Sequence, residues 1–319
     1  MKYIGFDIGG TKCAVSLGEE KGGTLEILDK KTIDTNLLIS PYEMIEKMCI
    51  IAEEMATDFS GVGISCGGPL NSKDGIIMSP PNLIGWDDIK IVEYIKNRFN
   101  KNVYLENDAN ACALAEWKYG AGKNCENMIF LTFGTGLGAG LILNGELYRG
   151  ASDMAGEIGH IRFCETGPVG YGKAGSFEGF CSGGGIAQLG KIKALEKFQQ
   201  GKKVSYCQSV EKIDSISAKI IADYAEKGFD DATGIYNLCG EMLGKGLAIL
   251  IDILNPEKII IGSIFKRCEH LLRSSMEAVL EKECLLFSKN ACKILPAKLS
   301  ENIGDYAALS VAINGGKKV

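Results

Sequence analysis

Residues 1–17 read MKYIGFDIGGTKCAVSL: an apolar run that meets an acid at Asp7, breaks into a tight Gly9-Gly10-Thr11 turn and resumes as a second apolar run. The pattern predicts strands over 3–6 and 12–17 joined by that turn. A second stretch of the same form, MIFLTFGTGLGAGLIL at 128–143, turns at Gly134-Thr135-Gly136. Read singly, each is an ordinary hairpin. Read together, with an acid in the first and threonine in both (Thr11, Thr135), they suggest two half-sites that could close over one polyanion. Glycine at positions 9, 10, 136 and 138 lets main-chain N–H groups approach phosphate oxygens. The first turn is not a P-loop, which needs Gly-Lys-Ser/Thr at a helix start, because CAVSL after Lys12 is strand-like. The expectation is a phosphate-binding hairpin whose amides and Thr11 hydroxyl face phosphate, with Asp7 holding a Mg²⁺-bound water.

Around these hairpins the first third alternates in the manner of a sheet flanked by helices. Strands are predicted over 24–33, 61–65 and 102–105, and helices over 42–55 and 88–99. Ser79-Pro80-Pro81-Asn82 is a loop, since proline disfavours helix in the residue before it. A helix over 107–117 opens a second α/β section. Residues 150–190 are Gly-rich and irregular, too long for a simple connection, and are read as a functional loop. Helices follow over 217–227 and 234–254, then a buried parallel-type strand over 258–261. A last apolar helix, 304–314, is expected to pack back onto a core.

The chain has 319 residues, 46% hydrophobic and 24% charged, enough for two domains with real cores. No apolar run reaches the roughly 18–20 residues of a membrane span. The start lacks a basic region leading into a long apolar stretch, so a cytoplasmic location is expected. A net charge of −5 without clustered Lys/Arg argues against a nucleic-acid footprint. Twelve cysteines are scattered with no CxxC, and read as buried reduced thiols rather than a disulfide framework.

Two further clusters could carry chemistry. Glu106-Asn107-Asp108-Ala109-Asn110 leaves a strand and enters a helix. Asn and Asp there could be a simple N-cap. Alternatively Asp108 projects from the carboxyl end of a strand, where open α/β sheets bind ligands, and the helix dipole keeps it ionised. Gly156-Glu157-Ile158-Gly159-His160 carries one of the two histidines, with Glu178 following in Gly175-Ser176-Phe177-Glu178-Gly179. Carboxylates and an imidazole could meet ligand hydroxyls.

DIGGTK at 7–12, ENDANA at 106–111, FGTGLGAG at 133–140, GEIGH at 156–160 and NPEKIIIG at 255–262 come in the order and spacing of the ROK family, and the chain resembles that family over essentially its whole length. The resemblance implies an α/β, actin/hexokinase-like (ribonuclease H-like) two-domain fold with an interdomain cleft. It divides the chain into a small N-terminal domain, 1–106, completed by a C-terminal helix at 303–319, and a large domain, 107–302. It implies an ATP- and Mg²⁺-dependent hexose kinase with Asp108 as general base. Asn107, Asp108, Glu157, His160 and Glu178 match positions that bind sugar hydroxyls, with Gly68 (in CGGPL) and Asn82 (in PPNLIGW) where the small domain touches the sugar. Asp7, Gly9, Gly10, Thr11, Lys12, Thr135 and Gly136 fall on the phosphate positions and Gly262 near the nucleoside. The family is usually dimeric, so a homodimer is expected, with sugar and ATP as partners and neither nucleic acid nor membrane.

Many members carry a zinc site, CxCGxxGC plus the histidine of GEIGH. Here the three cysteine positions are Val169, Tyr171 and Ser176, so three of four donors are missing. Zinc is not expected, and packing of Val169, Tyr171 and Phe177 is expected to hold the loop instead. The competing functions are a sugar-sensing ROK-type regulator and a non-catalytic sugar-binding protein. A regulator would carry a winged helix-turn-helix, for which a first strand starting at Lys2 or Tyr3 leaves no room. A pure sensor would have lost its base, whereas Asp108 is present.

Overall fold

The computed structural model describes residues 1–315, so the last four residues of the helix expected at 303–319 lie outside the described residues. The chain divides into two compact units, one built from Met1–Phe130, Gly140–Gly156 and the segment from Lys298 onward, the other from Leu131–Ala139 and Glu157–Ala297.

The first unit begins with β1 (Lys2–Ile8), β2 (Lys12–Lys21) and β3 (Thr24–Asp34), an antiparallel meander. Helix α1 (Pro41–Met55) follows, started by a Ser40/Glu43 capping box with proline in its first turn. Then come β4 (Gly61–Cys66), the short pair β5 (Leu70–Asn71) and β6 (Ile76–Ile77), α2 (Ile91–Phe99), β7 (Asn102–Asn107) and α3 (Asp108–Tyr119). The sheet order is β3-β2-β1-β4-β7, with β1, β4 and β7 mutually parallel. Every residue of β4 is buried, as expected of a central parallel strand covered on both faces. Met44, Ile45, Met48, Cys49 and Ala52 of α1 join Ile4, Phe6, Val62 and Ile64 in one apolar cluster. The helix predicted from 88 starts only at Ile91. Asp88 is left-handed (φ 51°) and Ile89 bridges to Ile77, so tertiary pairing takes those residues out of the helix.

Strands β8 (Met128–Phe133), β9 (Leu137–Leu143) and β10 (Glu146–Tyr148) lead into the second unit. That unit continues through a two-residue ladder, β11 (Val169–Gly170) with β12 (Lys173–Ala174), then α4 (Phe177–Phe180), α5 (Gly183–Gln199), α6 (Ala218–Ala225), α7 (Asp230–Leu254), β13 (Lys258–Ile261), α8 (Ile264–Glu283), α9 (Leu286–Ala291) and β14 (Lys293–Pro296). The second sheet runs β10-β9-β8-β13-β14. Helix α5 corrects the reading of 150–190 as loop throughout, because its first turn, Gly183-Gly184-Gly185, lacks the side chains that mark a helix. Finally α10 (Ile303–Asn314) returns to the first unit and lies against β1 and β4. The approach is so close that a Cβ on Gly63 would lie 2.1 Å from the Ala308 carbonyl oxygen. All twelve cysteines are free thiols, and none is fully exposed. Among the described residues, no helix is long and apolar enough to cross a membrane.

Glycine on α7 allows a sign test. A Cβ on Gly240 would sit 2.6 Å from the Leu272 carbonyl oxygen of α8, whereas one on Gly234 would meet nothing within 4 Å. Both substitutions gain helix propensity, so only packing separates them. Gly240→Ala should destabilise the protein by roughly 1–3 kcal/mol. Gly234→Ala should stabilise it by about 0.5–1 kcal/mol. Urea midpoints at unchanged m-value check both.

Candidate active site

In the first unit, strand register sets the geometry. Ile8 at the end of β1 pairs with Cys66 of β4, which pairs with Asn107 of β7. Asp7, Gly68 and Asn107-Asp108 therefore gather at the carboxyl ends of three parallel strands, the place where such sheets bind ligands. The first turn is closed by the Gly9 N–H donating to the Lys12 carbonyl (3.1 Å), and the Thr35 hydroxyl donates to the Gly9 carbonyl (2.6 Å). Thr11 and Lys12 are exposed. Position 10 has to be glycine, since a Cβ there would lie 2.4 Å from the Asn82 carbonyl oxygen. That contact brings the Asn82 loop onto the Gly9-Gly10-Thr11 turn, a proximity the sequence did not reveal.

Asp7 is half-buried and faces the first turn of α10, where a Cβ on Gly304 would lie 2.4 Å from its Oδ2. Burial, then the charges of Asp108 and Asp305, push its carboxyl up to about 6 against the pull of Lys30. Asp305 is itself buried, accepting from the Ser16 hydroxyl and the Lys30 ammonium at 2.6 Å each. A half-buried carboxylate beside another carboxylate is an oxygen donor set suited to a hard divalent cation, so the residues present fit Mg²⁺.

The cap reading of Asn107-Asp108 is realised, and Asp108 follows directly on the carboxyl end of β7. Asn107 is the N-cap, its Oδ1 accepting from the Ala109 N–H at 3.0 Å, and its Nδ2 faces Gly68. Asp108 Oδ1 accepts from the same N–H at 2.8 Å. Asp108 is solvent-accessible, yet surrounding protein displaces part of its hydration, and this raises its carboxyl above the ordinary value against its backbone N–H bonds. The helix terminus was expected to favour the charged form, but desolvation outweighs it.

Beneath this pair lies a support not read from the sequence. Glu106, 1% exposed, accepts from the Asn107 N–H (3.1 Å), Asn110 Nδ2 (3.0 Å) and Arg149 Nε (2.8 Å). Burial raises its carboxyl while Arg149 draws it down. An acid at the end of an otherwise apolar strand was the available signal; Arg149, distant in sequence, offered none.

In the second unit, the turn Gly134-Thr135-Gly136 is closed by the Gly134 N–H donating to the Gly136 carbonyl at 3.1 Å, and Thr135 is exposed. Two helix starts adjoin it. The Gly183 N–H at the head of α5 donates to the Gly134 carbonyl (2.8 Å), and Gly262, buried before α8, donates to Leu131 (2.9 Å). Ser182 caps α5 by accepting from the Gly185 N–H at 2.9 Å. This Ser-Gly-Gly-Gly start was also missed, since the three glycines that follow Ser182 obscure the one cap signal there.

Glu178 sits on α4, capped by Ser176, whose hydroxyl accepts from the Gly179 N–H at 3.1 Å. Its Oε2 accepts from the Leu137 N–H at 2.9 Å and lies 2.7 Å from where a Gly136 Cβ would be. The short helical turn Ile158–His160 packs against both, since a Cβ on Gly159 would meet the Leu137 carbonyl at 2.2 Å and Glu178 Cβ at 3.2 Å. Glu178, Gly136, Thr135, His160 and Glu157 are thus neighbours, and Glu157 and His160 are exposed.

The residues at the family's zinc positions do not fit a tetrahedral Cys₃His set. Val169 bonds through its backbone to Gln188 (2.9 and 2.8 Å), and Ser176 is a buried cap. The expected packing holds only for Phe177, which is fully buried 5.0 Å from the Phe163 ring. Val169 and Tyr171 are 46% and 70% exposed, because the two-residue turn directs them outward, and backbone bonds hold the loop instead.

The sequence profile of the ROK family matches residues 3–314. A glucokinase of Thermotoga maritima is 29% identical over 314 residues, spanning 98% of this chain and 97% of that protein. A xylose repressor of Caldicellulosiruptor bescii is 30% identical, spanning 94% of this chain and 71% of the repressor. A ROK family glucokinase of Streptomyces griseus, solved with glucose and AMPPNP, superposes with a TM-score of 0.78 at 27% identity, covering 99% of this chain and 100% of that one. The fold is the α/β, actin/hexokinase-like fold of the ROK kinases, and the chain belongs to the ROK family.

Proposed function

We propose that this protein is a sugar kinase that transfers the γ-phosphoryl group of ATP to a hexose hydroxyl, the 6-OH in a glucose-like sugar. The observation that carries the reading is the adjacency of two carboxyls in the first unit, Asp7 beside the phosphate turn and Asp108 at the head of α3, each raised by burial and Asp7 further by the charge of Asp108. Glucokinases similar along the whole chain support it.

In this reading the acceptor hydroxyl gives its proton to an Asp108 carboxylate oxygen as its own oxygen bonds to the γ-phosphorus, and the bond from that phosphorus to the bridging oxygen breaks to release ADP. A carboxylate whose pKa is lifted is a better proton acceptor than an ordinary aspartate. The amides of Gly10, Thr11, Thr135 and Gly136 are the donors to phosphate oxygens, Gly9 shapes the turn that presents the first two, and Lys12 adds positive charge. Asp7 would hold Mg²⁺ through a water, and the ion when bound would neutralise phosphate charge. Glu157, His160 and the second oxygen of Glu178 bind sugar hydroxyls in this reading, as do Asn107 Nδ2, Gly68 and Asn82. No step is assigned to zinc. The repressor relatives favour a second reading, a sugar-responsive regulator. Phosphorylation of a hexose by purified protein, screened over about a dozen hexoses with ATP, separates the two.

Asp108→Asn should lower kcat by at least about 10³-fold while sugar affinity changes little. Steady-state kinetics paired with calorimetric sugar titration checks this. Near-full turnover by that variant overturns the assignment.

Asp7 makes a prediction of opposite sign. Its folded carboxyl titrates near 6, above the ordinary 3.8, so folding binds that proton more tightly. The stability this confers is present below about pH 4 and lost as pH rises through 6. Asn is permanently neutral, so Asp7→Asn should be more stable than the parent by roughly 1–3 kcal/mol at pH 8 without Mg²⁺ or nucleotide, and equal to it near pH 3.5. Thermal melts at the two pH values test this, and kinase assays should show the same variant impaired.

A further inference from the structure

Tyr171 and Gly172 form the two-residue turn between β11 and β12, and both have positive φ, 42° and 75°. Turns of that kind are made by Asn-Gly or Gly-Gly. A bulky side chain in the left-handed region costs on the order of 1–3 kcal/mol and persists where function holds it. Burial does not offset the strain, since Tyr171 is 70% exposed. Its ring stands edge-on to the His160 imidazole, centroids 6.1 Å apart and planes at 68°. Lys173, the next residue but one, donates from Nζ to the His160 carbonyl at 2.7 Å, tying the turn to the histidine. Gly170, on the other side of Tyr171, touches Glu178, where an added Cβ would lie 2.7 Å from the Glu178 Cβ. A strained, exposed aromatic is therefore held beside His160, on a turn whose preceding residue, Gly170, touches Glu178.

Glu157, His160 and Glu178 can recognise hydroxyls but offer little apolar surface. Tyrosine adds a rigid, amphipathic face at small entropic cost. A pyranose ring has a C–H face that such a surface can cover. We infer that Tyr171 is a specificity residue forming an outer subsite beside His160 for a second sugar ring, so that the preferred acceptor class is a glucose-containing disaccharide rather than the free monosaccharide. This rests on the sugar-kinase reading and extends it.

The test measures kcat and KM for glucose, maltose and cellobiose with saturating MgATP, in the parent protein and in Tyr171→Phe, Tyr171→Ala and Tyr171→Asn. The parent should show a higher kcat/KM for one of the disaccharides than for glucose. The Ala and Asn variants should raise KM for that disaccharide at least tenfold, with its kcat and the KM for glucose within twofold, and the Phe variant should behave as the parent. Tyr171→Asn should also raise the melting temperature, because the turn is relieved. Preference for glucose over both disaccharides, or an equal loss for disaccharide and glucose, overturns the subsite. If the parent phosphorylates none of the three sugars, the fault lies with the kinase reading, and calorimetric titration with the same sugars decides the subsite. Tighter disaccharide binding that Tyr171→Ala abolishes then supports it, and its absence overturns it.

Discussion

Two acids at the same end of one parallel sheet set the constraint on which the candidate chemistry depends. The pairing of Ile8 with Cys66 and of Cys66 with Asn107 fixes how far β1, β4 and β7 extend, and so places Asp7 where it feels the charge of Asp108. Neither can relax away. Asp7 is wedged against Gly304 of α10, while Asp108 is fixed by the cap of α3 and by Glu106 beneath it. The Asp108 charge so held, together with burial, raises the affinity of Asp7 for positive charge. In the proposed function Asp108 takes the hydroxyl proton and Asp7 gathers the divalent cation.

Much of that frame was legible in the sequence, where local chemistry and tertiary demand agree. The runs around the Gly-Gly-Thr and Gly-Thr-Gly turns became β1, β2, β8 and β9 because apolar runs interrupted by glycine have few other solutions. Asn107-Asp108 was readable as a helix start, and the apolar final helix as one that returns to the core. The misses have physical reasons. Asp88 and Ile89 left α2 for a bridge to Ile77, a tertiary choice invisible locally. Helix α5 hid behind three glycines whose conformation is set by the Ser182 cap and the Gly134 carbonyl. Arg149 could not be tied to Glu106 from sequence, since their ion pair joins distant segments.

The loop between Gly156 and Gly179 shows a different division. Its polar residues were identified from their pattern, but the way the loop is held was not. Packing of Val169, Tyr171 and Phe177 was the expectation once cysteine was absent, and Phe177 alone meets it. The structure uses a buried Phe177, the Ser176 cap and a carboxylate clasp from Glu178 to the Leu137 N–H. That clasp links a proposed sugar residue directly to the backbone that leaves the Thr135-Gly136 turn. Tyr171 is left free of structural duty on the outer edge.

The most direct test of the central claim is a crystal structure of the protein with a hexose it phosphorylates and a non-hydrolysable ATP analogue. The account predicts an Asp108 carboxylate oxygen within about 2.6–3.2 Å of the sugar hydroxyl that points at the γ-phosphorus. A hydroxyl aimed at that phosphorus while bonded to some other group, with Asp108 beyond hydrogen-bonding distance, would contradict it.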